Sequence, residues 1–301
     1  MSAIIETQGL VRRYGARVAV DHLDMTVRRG SITGFLGKNG AGKTTTLRML
    51  LGLIRPRAGR AIVCGVDVTS APPPLARIGA IIETPAAWPW LSARDVLRVC
   101  ARVSGVRRGV AEVDALLGRV GLTGREGDLV RTYSLGMKQR LGLACALLTD
   151  PELLLLDEPM NGLDPVGVIE MRTLLAGLAR EGRTLVVSSH QLGEIQQLCD
   201  DVVILHEGRA RYAGPMQGLT GQGRVRLRAR PRDVARATLV TAGHAVVDDT
   251  GSGDGLVVTA AADDVPGIVR ALVAGGVDVL AVEAVTSSLE QAFLDVLGSH
   301  G

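Results

Sequence analysis

The chain reads as an α/β protein built on a mostly parallel sheet, with a smaller α/β domain behind it. Three observations carry that expectation. Short apolar strands alternate with helix-patterned segments up to about residue 218, the order of parallel strands joined by helical crossovers. A glycine-rich loop, Gly37-Lys38-Asn39-Gly40-Ala41-Gly42-Lys43-Thr44, separates the apolar run Ile32 to Leu36 from a helix expected from Thr45. Around Gly221-Gln222-Gly223 the pattern changes, which marks a domain boundary.

Taken in order, Ile4 to Thr7, Arg17 to Val20, Met25 to Val27 and Ile32 to Leu36 read as short strands. A helix from Thr45 is expected to end near Gly52, and Arg60 to Val68 and Ile78 to Glu83 return to strand character. Residues 92 to 148 are helical in pattern, with Ser92 or Asp114 as caps and breaks at Gly105, Gly121 and Gly124. The run Leu153-Leu154-Leu155-Leu156 predicts a buried strand, which ends in the acids Asp157 and Glu158. A helix over 166 to 181 precedes a second buried strand, Thr184 to Ser188, followed by Ser189-His190. Val202 to Leu205 and Arg211 to Ala213 read as the strands that follow. Beyond the boundary come strand Val225 to Ala229, helix Asp233 to Ala242, strand Ala245 to Asp248 and a turn over 250 to 255. Strand Leu256 to Ala260, helix Asp264 to Ala274, strand Val277 to Val282 and helix Ser288 to Leu297 complete the chain. Strand, helix, strand, strand, helix, strand is the ferredoxin-like order.

At 301 residues the chain is long enough for more than one core. The net charge of +3 at pH 7, without a block of like charges, gives no nucleic-acid footprint, so no nucleic-acid partner is expected. Every apolar run is interrupted well before the roughly 18 residues that a membrane span takes. The N-terminus lacks the basic and long apolar regions of an export signal. The four cysteines, Cys64, Cys100, Cys145 and Cys199, are far apart in sequence and read as reduced core residues of a cytosolic protein. Of 34 basic residues only three are lysines, Lys38, Lys43 and Lys138, and all three fall in the motifs that follow. Seven aromatic residues leave Leu, Val, Ile and Ala to make the core.

The loop at 37 to 44 has the form G-x-x-x-x-G-K-[ST]. Its glycines let backbone N–H groups turn inward around a polyphosphate, and the helix N-terminus behind it adds unpaired donors. In this pattern Lys43 reaches the β- and γ-phosphates, the Thr44 hydroxyl binds Mg2+ and Thr45 supports the α-phosphate. Tyr14, upstream, reads either as a ring that stacks on adenine, which the loop downstream favours, or as a partly buried loop aromatic. Trp88 and Trp90 stand in a Pro-rich connection and admit two readings: packing against the helix that begins near Ser92, or an aromatic anchor for a partner protein.

With His190 reached, the motifs form a set. The 37 to 44 loop resembles a Walker A motif and Leu153 to Glu158 a Walker B motif. Asn161-Gly162-Leu163-Asp164-Pro165 resembles a D-loop, His190 an H-loop, and Tyr133-Ser134-Leu135-Gly136-Met137-Lys138-Gln139-Arg140 a signature motif. Over residues 1 to about 218 the chain thus resembles the ATP-binding subunit of ABC transporters. The resemblance implies a P-loop NTPase: a RecA-like parallel sheet with an N-terminal antiparallel β-subdomain and a helical subdomain at about 85 to 150. The ATP-binding domain would then cover 1 to 220 and the accessory ferredoxin-like domain 221 to 301.

The resemblance also implies roles. ATP would be held by Tyr14, by Gly37, Lys38, Asn39, Gly40, Ala41, Gly42, Lys43, Thr44 and Thr45, and by Glu83. Ser134 and Gly136, with Asp164, would face the γ-phosphate of a second subunit, so that two sites form only in a head-to-tail dimer, here a homodimer. Thr44, Asp157 and Glu83 would serve Mg2+, Glu158 would activate water, and His190 would bind the γ-phosphate beside Lys43. Two departures stand out. Leu135 and Met137 replace a glycine and the glutamine of the usual Leu-Ser-Gly-Gly-Gln, and Glu83 stands where most members have glutamine. The segment Ile82-Glu83-Thr84-Pro85 together with this signature resembles the bacitracin and lantibiotic export and immunity branch. So does the ending Ser288 to Leu294, in the manner of that broader class. The implied function is an ATPase subunit on the inner face of the cell membrane, cytoplasmic and peripheral, driving export of a peptide antibiotic, drug or other amphiphile through a separate permease. The alternatives are an importer subunit, or a soluble ATPase of this family acting on ribosomes or DNA.

Overall fold

The computed structural model describes residues 2–82, 88–220, 224–249, 255–260, 264–285 and 293. The chain divides into two compact units, Met1–Gly214 and Pro215–Gly301.

The first unit opens with two long strands, β1 (Ala3–Tyr14) and β2 (Arg17–Arg28), where sequence periodicity predicts several short ones. The difference has a physical cause. Register shifts between Ala3 and Ile5, Thr7 and Leu10, and Leu10 and Arg13 invert the inside–outside alternation without ending the strands. Next come β3 (Ile32–Leu36), α1 (Lys43–Leu50), β4 (Ala58–Val63), β5 (Val66–Asp67), β6 (Ile78–Ile81), α2 (Ala93–Val103), α3 (Val110–Arg119) and α4 (Leu135–Ala146). The unit continues through β7 (Leu153–Leu156), α5 (Pro165–Arg180), β8 (Thr184–Ser189), α6 (Leu192–Leu198), β9 (Asp201–His206) and β10 (Arg209–Pro215).

Strands β2-β1-β4-β5 form one antiparallel sheet, and β10-β9-β3-β8-β7-β6 form a second. Within the second, β9, β3, β8, β7 and β6 are all mutually parallel to their neighbours. One face of this sheet, with Phe35, Leu153, Leu155 and Val186, shares a core with Ile5, Leu10, Val20 and Leu23 of the antiparallel sheet and with Leu47 and Leu50 of α1. Helices α4, α5 and α6 pack on β6, β8 and β3. Because both faces are covered, β3, β7 and β8 are buried throughout and show no alternation of apolar and exposed polar residues. Arg28 at the end of β2 grips Asp201 of β9 bidentately, at 3.0 and 2.7 Å, and so pins the edge of one sheet to the other.

Ser92 caps α2, accepting the Asp95 N–H. Asp114 is not a cap: it lies inside α3 and receives Arg94 at 2.7 and 2.9 Å, a cross-helix pair that holds its carboxyl below the usual range. The start of α3 is secured by Glu112, whose carboxylate accepts the Gly109 N–H. The cysteines also depart from a uniform core role. Cys64 and Cys199 are buried, whereas Cys100 of α2 and Cys145 of α4 are only partly so and line the same cavity. Among the described residues no helix is long and apolar enough to cross a membrane.

The second unit holds α7 (Met216–Thr220), β11 (Arg224–Arg230), α8 (Arg232–Thr241), β12 (Val246–Asp248), β13 (Gly255–Thr259), α9 (Val265–Ala274) and β14 (Asp278–Val285). Its sheet runs β12-β13-β11-β14 with every pairing antiparallel, which is the ferredoxin-like topology. Val225, Leu227 and Ala229 alternate inward along β11 and meet Leu239, Ile268 and Leu272 from the two helices. The segment 221 to 223, most of the turn expected at 250 to 255, and all but residue 293 of the helix expected at 288 to 297 lie outside the described residues.

Leu155 is fully buried at the centre of the larger core. Leu155→Ala should therefore cost about 2–5 kcal/mol of stability, read as a lowered denaturation midpoint in urea, whereas an exposed site such as Leu53 tolerates the change.

Candidate active site

Strand β3 delivers the chain, fully buried, to Gly37, and α1 carries it away from Lys43. Between them the loop is wedged against its neighbours. A Cβ on Gly37 would stand 2.5 Å from the Leu205 carbonyl oxygen, and one on Gly42, whose φ is +110°, would stand 2.5 Å from that of Ala19. Only glycine fits either place. Lys43 and Thr44 are the first residues of α1, two positions earlier than the sequence suggests. Lys43 is buried, and its ammonium donates to the Gly37 carbonyl at 2.6 Å, folding back across the loop.

The two acids after β7 close on this loop from the next-but-one strand. Asp157 is buried; its N–H donates to the Ile81 carbonyl, and its Oδ2 accepts from the Thr44 hydroxyl at 2.6 Å. Glu158 follows the strand rather than belonging to it, so strand alternation does not aim its side chain. It adopts a left-handed backbone, φ +48°, which turns the carboxylate back over the loop. There Oε1 lies 3.2 Å from Lys43 Nζ, and Oε2 lies 2.9 Å from His190 Nδ1. Ser188, from β8, donates to Asp157 and accepts the Glu158 N–H. Sequence reasoning passed over this serine, whose only signal is its place two residues before His190.

Beside this cluster is a cavity of about 350 Å3 lined by Tyr14, Arg17, loop residues 38 to 45 and Glu158. Lys38, Asn39 and Gly40 are exposed along it, and Ala41 and Thr45 stand deeper. Two arginines absent from the sequence reading belong here. Arg17 donates to the Gly40 carbonyl at 3.1 Å, and the Arg12 guanidinium lies over the Tyr14 ring, 4.8 Å from its centre. Neither has a motif signal, because each acts through a hairpin that comes close only in the fold.

Ser134 and Gly136 are elsewhere. Ser134 caps α4 through the Met137 N–H, and Asp164 caps α5 through the Gly167 N–H at 2.8 Å. Together with Gly136 and Gly162 they line a separate concavity of about 500 Å3, which shares no lining residue with the first. Leu135 has a structural counterpart: its Cδ2 lies 2.7 Å from where a Cβ of Gly162 would be, so the bulk gained at one position sits over a glycine at the other. Glu83 lies outside the described residues. The two readings of the tryptophans divide. Trp88 borders a cavity with Cys100 and Val103 of α2, whereas Trp90 is 68 % exposed.

A buried lysine on a glycine loop at the start of a helix, faced by two carboxylates from a parallel strand, defines a phosphate-binding NTPase. The family model described as ABC transporter matches residues 20–161. The chain is 43% identical to the bacitracin transport ATP-binding protein BcrA of Bacillus licheniformis, over 99% of this chain and 98% of that one. It is 38% identical to the lantibiotic transport ATP-binding protein SrtF of Streptococcus pyogenes, over 68% and 88%. A solved structure of the ATP binding subunit of an ABC transporter superposes with a TM-score of 0.63 at 30% identity, covering 72% of this chain and 91% of that one. The chain belongs to the ATP-binding proteins of ABC transporters: it is an ATPase that binds ATP.

Gly42→Ala tests the loop. The added methyl group meets the Ala19 carbonyl in a backbone conformation that alanine resists, so affinity for a fluorescent ATP analogue should fall by about tenfold or more, as measured by titration.

Proposed function

We propose that this chain is the ATP-hydrolysing subunit that powers export of a peptide antibiotic, drug or other amphiphile through a separate membrane subunit. The observation that carries the catalytic part is the position of Glu158, between Lys43 and His190 at the mouth of the phosphate loop. The names of the relatives, which refer to bacitracin and lantibiotic transport, support the kind of cargo.

Phosphoryl transfer to water depends mainly on positioning and electrostatics. Lys43 and the loop N–H groups hold the β- and γ-phosphates, Tyr14 stacks on adenine, and Arg17 adds positive charge where the phosphates enter. Glu158 orients and deprotonates the attacking water, and His190 holds it against the γ-phosphate. Thr44 Oγ1 and Asp157 Oδ2, hard oxygen donors 2.6 Å apart, the second on a buried carboxylate, fit Mg2+. When bound, that ion neutralises charge developing on the phosphate oxygens. Glu83 completes this set in the proposal.

The separation of the two concavities supports a head-to-tail homodimer. Ser134, Gly136 and Asp164 of one copy then cover the γ-phosphate held by the other. The chain works at the cytoplasmic face of the membrane, docked on its permease with Trp90 presented toward it.

Glu158→Gln keeps the size of the side chain and removes the base, so kcat should fall by about 100-fold or more while ATP is still bound and dimers accumulate on gel filtration. Retained turnover would remove Glu158 from the role. Replacing both Trp88 and Trp90 by Ala should reduce co-purification with the membrane subunit and leave ATP affinity as it was; undiminished co-purification refutes the anchor.

A further inference from the structure

Strand β8 ends in two serines whose hydroxyls leave it on opposite sides, as consecutive strand residues do. Ser189 faces α6, donating to Glu194 Oε2 at 2.7 Å and accepting the Gln191 N–H at 2.9 Å. Ser188 faces the end of β7 and has no exposed surface. Its hydroxyl donates to Asp157 Oδ1 at 2.5 Å and accepts the Glu158 N–H at 2.8 Å. We infer that Ser188 is a positioning residue for hydrolysis, a single hydroxyl that fixes the Asp157 carboxylate and the Glu158 backbone together. The inference rests on the reading of Glu158 as the base.

The argument is one of directionality. A hydroxyl has one proton to donate, and an ionised Asp157 can only accept, so the proton goes there and leaves the oxygen lone pairs for the Glu158 N–H. The other Asp157 oxygen is already taken by Thr44. A chain of three hydrogen bonds thus runs from the first turn of α1, through Asp157 and Ser188, to the amide of Glu158. That amide belongs to a residue in the left-handed region, which a non-glycine residue occupies only when its surroundings hold it. Without the Ser188 oxygen, Glu158 is free to relax to negative φ, which swings its carboxylate away from Lys43 and His190. The groups that bind nucleotide, the loop and Lys43, make no contact with this hydroxyl among the hydrogen bonds described here. The effect is therefore expected first on the chemical step, reaching binding only through Asp157 of the proposed Mg2+ set.

The experiment measures kcat and KM for ATP, and the dissociation constant of a fluorescent ATP analogue, in the full chain and in Ser188→Ala, Ser188→Cys, Ser188→Thr and Glu158→Gln. Thermal melting checks that each is folded. Ser188→Ala should lower kcat by about tenfold or more with the dissociation constant within about threefold of wild type. Ser188→Thr keeps the hydroxyl and should restore most of kcat. Ser188→Cys nearly keeps the volume but donates and accepts poorly, so its kcat should fall as well even if the alanine variant does not fold. Loss of kcat in Glu158→Gln with wild-type turnover in Ser188→Ala and Ser188→Cys overturns the inference alone. Wild-type turnover in Glu158→Gln overturns the reading of the base on which it rests. A loss of affinity that matches the loss of activity overturns the positioning role in favour of a binding one.

Discussion

A buried ammonium must be answered by oxygen atoms, and the site is arranged around that demand at Lys43. The answering groups are the Gly37 carbonyl and the Glu158 carboxylate. They come together because β3, β8 and β7 are neighbours in one parallel sheet, so their carboxyl ends deliver Gly37, Ser188 with His190, and Asp157 with Glu158 to one edge. The long apolar runs that bury these strands set their depth, and the antiparallel sheet behind the loop blocks any outward shift at Gly42. A triphosphate presented to Lys43 competes with Glu158 for the same ammonium. In the proposed function, nucleotide entry and release of Glu158 from Lys43 are opposite sides of one exchange.

Much of this was legible in the sequence, for identifiable reasons. The loop at 37 to 44 and the acids at 157 and 158 are local patterns, and their chemistry requires those residue types at that spacing. The ferredoxin-like order of the second unit was readable because each short element carries its own periodicity and turn. What escaped depends on distance in sequence. Asp114 looked like a cap because an acid before an apolar stretch often is one, whereas its partner, Arg94, is on another helix. Arg12, Arg17 and Ser188 act only once a hairpin or a strand end has folded against the loop. The bulges of β1 hid two long strands behind broken alternation.

The signature tells a related story. Taken alone, Leu135 in place of glycine looks like damage to a phosphate-facing turn. In the fold it packs over Gly162, which has a positive φ and no side chain, so the added bulk lies over a glycine in the concavity between the ends of α4 and α5. Ser134 and Asp164 still spend their side-chain oxygens on capping their helices, which leaves those N-termini rigid and aimed outward.

The scarcity of lysine has a practical side. Apart from the chain terminus, an amine-selective reagent has three targets in the whole protein. Lys38 stands exposed on the loop, Lys138 is half-buried in the signature helix, and Lys43 is enclosed. The labelling pattern of three residues thus reports on the glycine loop and the start of α4, with almost no background from the rest of the surface.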